Sequence, residues 1–93
     1  MNVRLDDKVA LITGGSLGLG RAMALRFAEA GAAVAIAARG KAALESTAVE
    51  IKKIAGEDKV TAYACNVGDA SEIMDLHAEV VSYLGPIDIL VNN

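Results

Sequence analysis

Three glycines with the spacing Gly14-x-x-x-Gly18-x-Gly20 stand between an apolar run and a helix-like segment. The apolar run, residues 9–12, is short and β-branched at two positions, which favours a buried strand. Where a strand turns through glycines into a helix, backbone N–H groups at the start of the helix point outward, and the helix dipole adds partial positive charge there. The segment therefore predicts a cradle for phosphate groups.

The rest of the chain alternates apolar runs with segments of helical periodicity. Strands are predicted at residues 8–13, 34–38, 60–65 and 87–91, and helices at residues 17–30, 41–55 and 71–83. Strict alternation implies parallel strands joined by right-handed crossovers. We therefore expect an α/β, Rossmann-like doubly wound parallel sheet in a truncated form with strand order 3-2-1-4. The first two helices should cover one face and the third helix the other.

Apolar side chains at helical spacing predict which side of each helix is buried. The predicted stripes are Met23, Ala24, Phe27 and Ala28 on the first helix; Leu44, Ala48, Ile51 and Ile54 on the second; and Ile73, Leu76, Val80 and Leu84 on the third. The third helix has two candidate N-caps, Ser71 and Asp69.

Composition excludes several classes of protein. The 93 residues allow one domain, and a hydrophobic content of 54% is enough to bury a core. A net charge of −3 argues against a nucleic-acid partner, and no apolar run is long enough to span a membrane. The lone cysteine, Cys65, excludes an internal disulfide, and the acids of the third helix have ordinary solvated spacing, so no metal site is predicted. We expect a soluble cytoplasmic protein.

The loop glycines have separate predicted roles. Gly14 permits the tight turn out of the strand, Gly18 lets the backbone approach a pyrophosphate, and Gly20 lets the helix pack closely. Ser16 either donates to a ribose or phosphate of the ligand or stabilises the turn, and the sequence leaves both open.

Arg39 follows the second predicted strand, where dinucleotide-binding folds contact the adenosine ribose. Enzymes that use NAD usually place an acid at this strand end to accept from the 2′-hydroxyl. A guanidinium instead grips a 2′-phosphate with two charge-assisted hydrogen bonds. Arg39 therefore favours NADP(H) over NAD(H), the alternative being a solvated surface arginine.

The chain resembles the short-chain dehydrogenases/reductases over essentially all 93 residues. The segment Thr13-Gly14-x-x-x-Gly18-x-Gly20 looks like the family's cofactor motif, and residues 87–93 look like the strand that ends in its Asn-Asn-Ala-Gly motif. Asn66-Val67 occupies the position that the family places against the adenine, and Asn there is similar to several 3-oxoacyl-carrier-protein reductases. The resemblance implies a cofactor-binding set of Gly14, Ser16, Leu17, Gly18, Leu19, Gly20, Arg39, Asn66, Val67, Asn92 and Asn93.

The resemblance also implies what this chain lacks. The family's catalytic Ser and its Tyr-x-x-x-Lys pair follow the Asn-Asn-Ala-Gly motif, whereas Tyr63 and Tyr83 here are not followed by a lysine at that spacing. We therefore expect no catalytic residues in residues 1–93, a single partial dinucleotide-binding domain. It would be the inactive N-terminal portion of an oxidoreductase that transfers hydride between nicotinamide and a carbonyl or alcohol.

Other interpretations remain open from the sequence. The chain could be a non-catalytic module that binds nucleotide or associates with itself. It could also bind another adenine ligand such as S-adenosylmethionine, although Arg39 and the Asn-Asn terminus argue against this. Because the outer edge of the fourth predicted strand has no partner in the sequence, a homo-oligomer is expected.

Overall fold

The computed structural model, which describes residues 4–93, alternates four strands with three α-helices. The strands are β1 (Val9–Thr13), β2 (Ala33–Ala38), β3 (Val60–Ala64) and β4 (Ile89–Asn92). The helices are α1 (Gly18–Glu29), α2 (Lys41–Ala55) and α3 (Ala70–Leu84), and a short 3-10 turn, Glu57–Lys59, leads into β3. The predicted elements are thus confirmed, with ends that differ by one or two residues.

The strands form one parallel sheet in the order β3-β2-β1-β4, as predicted. β1 is central, and Thr13 at its carboxyl end pairs in register with Ala37 of β2 and Asn92 of β4. The carboxyl ends of three neighbouring strands are therefore side by side. In a doubly wound sheet, this edge is where ligands bind.

The two faces of the sheet carry separate apolar clusters. On one face, Ile12 and Ile36 pack against Ala24 of α1 and against Leu44 and Ile51 of α2. On the other face, residues of β1 and β2 pack against Leu76 and Val80 of α3. The predicted division of the helices between the faces is confirmed. Among residues 4–93, no helix has both the length and the apolar character needed to cross a bilayer.

The helix ends follow ordinary capping chemistry. α1 ends at Glu29, and the next residue but one, Gly31, has a φ of 99°, which a glycine adopts without strain. Asp69 caps α3, since its carboxylate accepts from the N–H groups of Ser71 and Glu72 at 2.9 and 3.2 Å. Of the two candidate N-caps, Ser71 is wrong: it lies inside the helix.

The buried stripe predicted for α2 is wrong at its last position. Ile54 is 46% exposed, whereas Ala55 packs against the core. Residues four apart on a helix lie nearly one above the other, so the inward line from Ile51 continues to Ala55.

β3 and β4 are also only half-buried, because each forms an edge of the sheet. Cys65 follows β3 and is half-buried, and burial raises the pKa of its thiol.

Candidate dinucleotide-binding site

The loop after β1 turns sharply and delivers the chain into α1. Gly14 and Gly18 have φ values of 70° and 58°, in the left-handed region that favours glycine. Leu17 is the N-cap of α1 but makes no side-chain capping bond, and the first turn of the helix contains no acidic residue. The N–H groups at the start of α1 are therefore left for an outside acceptor, and an anion suits both them and the helix dipole.

Gly20 allows α1 to lie directly against this loop. A Cβ atom at Gly20 would stand 2.3 Å from the carbonyl oxygen of Gly14 and 2.8 Å from Nδ2 of Asn93. The first contact is with a backbone atom that cannot move aside, so no side chain fits at this position. The predicted role of Gly20 in close helix packing therefore has a specific geometric cause, the backbone of Gly14.

The end of β4 is fastened to the same loop. The Thr13 hydroxyl lies 3.0 Å from Oδ1 of Asn92 and 3.3 Å from the carbonyl oxygen of Val91, and it accepts from the N–H of Asn93 at 3.3 Å. Nδ2 of Asn93 donates to the Gly14 carbonyl at 3.4 Å. Asn92 and Asn93 thus support the glycine loop from the neighbouring strand.

Arg39 lies one residue beyond β2, at the same edge of the sheet. The Gly14 N–H donates to the carbonyl oxygen of Ala37 at 2.7 Å, which holds the glycine loop next to the end of β2. Arg39 is exposed, and the salt bridges found within residues 4–93 use Arg4 and Arg21 instead. Within residues 4–93, its guanidinium makes no hydrogen bond or salt bridge.

Asn66 and Val67 follow β3 at the far side of this edge. Oδ1 of Asn66 accepts from the N–H of Gly68 at 2.9 Å, and the Asn66 N–H donates to Oε1 of Glu72 at 3.0 Å. These bonds shape the turn that leads into α3. Val67 is 42% exposed. The adenine contact that the sequence predicts for this pair stays a prediction.

All the predicted cofactor-binding residues therefore lie at the carboxyl ends of the strands, along one edge of the sheet. The group from Gly14 to Gly20 follows β1, Arg39 follows β2, and Asn66 and Val67 follow β3; Asn92 ends β4 and Asn93 follows it. Two apolar members, Leu17 and Leu19, are 69% and 67% exposed beside the loop. Exposed leucines at the mouth of such a loop are suited to contact with a ligand that covers them.

One cavity lies on the α3 side of the sheet and not over the glycine loop. Its volume is about 540 Å³, and its lining includes Leu11, Leu76, Ile87 and Leu90. The walls are mostly apolar, and β4 forms one side of it. It is a groove on an incompletely covered sheet face.

Sequence reasoning missed two contacts that join α2 to the start of α1. The Thr47 hydroxyl donates to the carbonyl oxygen of Ser16 at 3.1 Å, in a fully buried position. Arg21 pairs with Glu50, its Nε lying 3.2 Å from Oε1, and this partner lowers the pKa of the Glu50 carboxyl. Each contact joins residues about thirty positions apart, so no local pattern reveals it.

A parallel sheet with order β3-β2-β1-β4, a glycine loop at the end of its central strand and an open helix start define a dinucleotide-binding α/β fold. The chain belongs to the short chain dehydrogenase family, whose model matches residues 8–93.

Individual relatives share the family but differ in their activities. The 3-oxoacyl-[acyl-carrier-protein] reductase FabG of Thermotoga maritima is 42% identical over 91 residues, which are 98% of this chain and 36% of that protein. The structure of L-sorbose reductase from Gluconobacter frateurii, complexed with NADPH and L-sorbose, has a TM-score of 0.91 at 36% identity and covers 100% of this chain and 35% of that one.

A third relative was solved with the other nicotinamide cofactor. A 7α-hydroxysteroid dehydrogenase complexed with NADH has a TM-score of 0.92 at 38% identity, covering 99% of this chain and 35% of that one. The chain spans about a third of the length of the curated relatives that it matches.

Proposed function

We propose that this chain binds NADP(H) and forms the cofactor-binding N-terminal portion of a short-chain oxidoreductase. The observation that carries the proposal is the glycine loop: its two left-handed glycines and uncapped helix start leave N–H groups for a pyrophosphate. The whole protein would transfer hydride between nicotinamide and a carbonyl or alcohol. A 3-oxoacyl thioester is one candidate substrate, supported by the similarity to FabG.

The preference for NADP(H) over NAD(H) depends on Arg39. Its exposed guanidinium follows β2 beside the loop, where a 2′-phosphate on the adenosine ribose would lie. The relatives include complexes with NADPH and with NADH, so the choice rests on this residue. Charge-assisted hydrogen bonds contribute about 1.5–3 kcal/mol, which corresponds to roughly 10- to 150-fold in affinity.

Calorimetric titration of NADPH and NADH tests the proposal. We expect the wild-type chain to bind NADPH more tightly by that factor, and Arg39→Ala to lose the preference while keeping its NADH affinity. Arg26→Ala is the matched control, because Arg26 is also exposed but lies in the last turn of α1, at the far end from the loop. Equal affinities in the wild type would overturn the NADP(H) assignment, and binding of neither cofactor would overturn the function.

The 93 residues alone are proposed to be inactive. They contain no Tyr-x-x-x-Lys sequence, and loss of a general acid typically costs on the order of 10²–10⁴-fold in rate. Reductase turnover that co-purifies with the chain and disappears in Gly18→Trp would contradict this.

Two further features complete the proposal. A cytoplasmic location is part of the proposal, supported by the lone cysteine, which leaves no disulfide within these 93 residues. Self-association into a homo-oligomer is supported by the outer edge of β4, which pairs with nothing within residues 4–93, and by the apolar groove beside it.

A further inference from the structure

Thr47 is a fully buried polar side chain on the inner side of α2. It is 1% exposed and lies on the same helix face as Leu44 and Ile51, both of which are in the core. Its hydroxyl donates to the carbonyl oxygen of Ser16 at 3.1 Å, and Ser16 is itself buried. A buried carbonyl needs a partner, and α2 supplies it here from 31 residues away.

This hydrogen bond fixes the orientation of one peptide group in the glycine loop. In a planar trans peptide, the C=O and the N–H point in opposite directions. Since the Ser16 carbonyl points inward to Thr47, the N–H of Leu17 points away from α2. Leu17 is the N-cap of α1 and is 69% exposed, so the residue that carries this N–H lies at the open start of the helix.

The same helix begins just after Arg39, the residue proposed to select the cofactor. α2 begins at Lys41, directly after Arg39 and Gly40, and Thr47 lies about two turns further along. One rigid helix therefore joins the segment proposed to hold a 2′-phosphate to the loop proposed to hold the pyrophosphate.

We propose that Thr47 is a positioning residue for dinucleotide binding: its hydroxyl holds the Ser16–Leu17 peptide in the orientation that receives the pyrophosphate. This role rests on the proposed function. The pyrophosphate is common to NADPH and NADH, so loss of the Thr47 hydroxyl lowers the affinity for both cofactors equally. In contrast, loss of Arg39 lowers the affinity for NADPH alone.

The test compares Thr47→Val, which keeps the shape and removes the hydroxyl, with Thr47→Ser, which keeps the hydroxyl. Loss of one net hydrogen bond predicts that Thr47→Val binds NADPH and NADH about fivefold more weakly, by calorimetry. Thr47→Ser should bind both with affinities close to the wild type. Backbone amide order parameters of residues 14–18, measured by NMR in the free protein, should fall in Thr47→Val only.

Ile51→Val is the control for general destabilisation, since Ile51 is buried one turn further along α2 and contributes no hydrogen bond to the loop. It should lower the unfolding midpoint without changing either affinity. If Thr47→Val does not fold, Thr47→Cys takes its place, because a thiol is only a weak donor.

Wild-type affinities in Thr47→Val, or an equal loss in Ile51→Val, would overturn the positioning role while leaving the proposed function intact. Binding of neither cofactor by the wild type would overturn the proposed function, and the positioning role with it.

Discussion

At the scale of single residues, Gly20 is the position in the site where a side chain is tolerated least. A methyl group there would meet the carbonyl oxygen of Gly14, a backbone atom that cannot swing aside as a side chain does. Gly20→Ala should therefore lower the free energy of unfolding by about 1–3 kcal/mol, the usual cost of overpacking. Urea unfolding measures this.

Gly40→Ala is the control for Gly20→Ala. A Cβ atom at Gly40 would meet nothing within 4 Å, and its φ of −79° suits any residue. Gly40 is the N-cap of α2, where alanine is less favourable than glycine, so the free energy of unfolding should fall by less than about 1 kcal/mol, below the range expected for Gly20→Ala. If Gly20→Ala behaved like Gly40→Ala, the close approach of α1 to the loop would be wrong.

The residues that were predictable from the sequence are those whose role is local. The turn at Gly14 and the close packing at Gly20 could be predicted from the glycine spacing, because each lies within one strand–turn–helix unit. Thr47 could not be assigned, because an inward threonine on a helix gives no sign of which distant carbonyl it will meet. Its partner is set by how α2 packs beside the loop, which is a property of the tertiary structure.

At the scale of elements, the start of α3 depends on one carboxylate. Asp69 accepts from two otherwise unpaired N–H groups in the first turn, whereas Ser71 lies within the helix. Asp69→Ala should therefore lower the free energy of unfolding by about 1 kcal/mol, and Asp69→Asn should recover most of it. Thermal unfolding of the two variants checks this.

Ser71→Ala distinguishes the two candidate caps. It removes a hydroxyl from an exposed position inside α3 and should change the free energy of unfolding by less than about 0.5 kcal/mol. A loss in Ser71→Ala that equals the loss in Asp69→Ala would contradict the assignment of Asp69 as the cap.

The order of the strands in the sheet was predictable from the sequence. The errors concern which residues are buried, because burial depends on where an element lies in the tertiary structure. Alternating strands and helices allow little besides a parallel sheet, so the order β3-β2-β1-β4 followed from general rules of handedness. β3 is only half-buried, because a strand at the edge of a sheet is covered on fewer sides. Ile54 was misassigned because both i+3 and i+4 steps fit a helical stripe, and only the packing of α2 selects Ala55.

At the scale of the whole molecule, the uneven coverage of the sheet decides how the 93-residue polypeptide behaves. α1 and α2 cover one face, whereas α3 alone covers the other and leaves the groove beside Leu90, which is 64% exposed. Exposure of a few hundred Å² of apolar surface costs several kcal/mol at about 25 cal/mol per Å². A small domain has only about 5–15 kcal/mol of stability in total, so covering this surface matters.

We therefore expect the 93-residue chain to form a two-fold dimer in which β4 pairs antiparallel with β4 of a second copy, extending the sheet. Light scattering at micromolar concentration on mass-verified protein should give twice the chain mass. Leu90→Lys should shift the equilibrium toward monomer, because it places a charge beside the pairing edge. Ile54→Lys, the same change at an exposed apolar position on the opposite face, should leave the dimer intact. A well-folded wild-type monomer would refute the dimer, and equal effects of the two lysine variants would locate the interface away from β4.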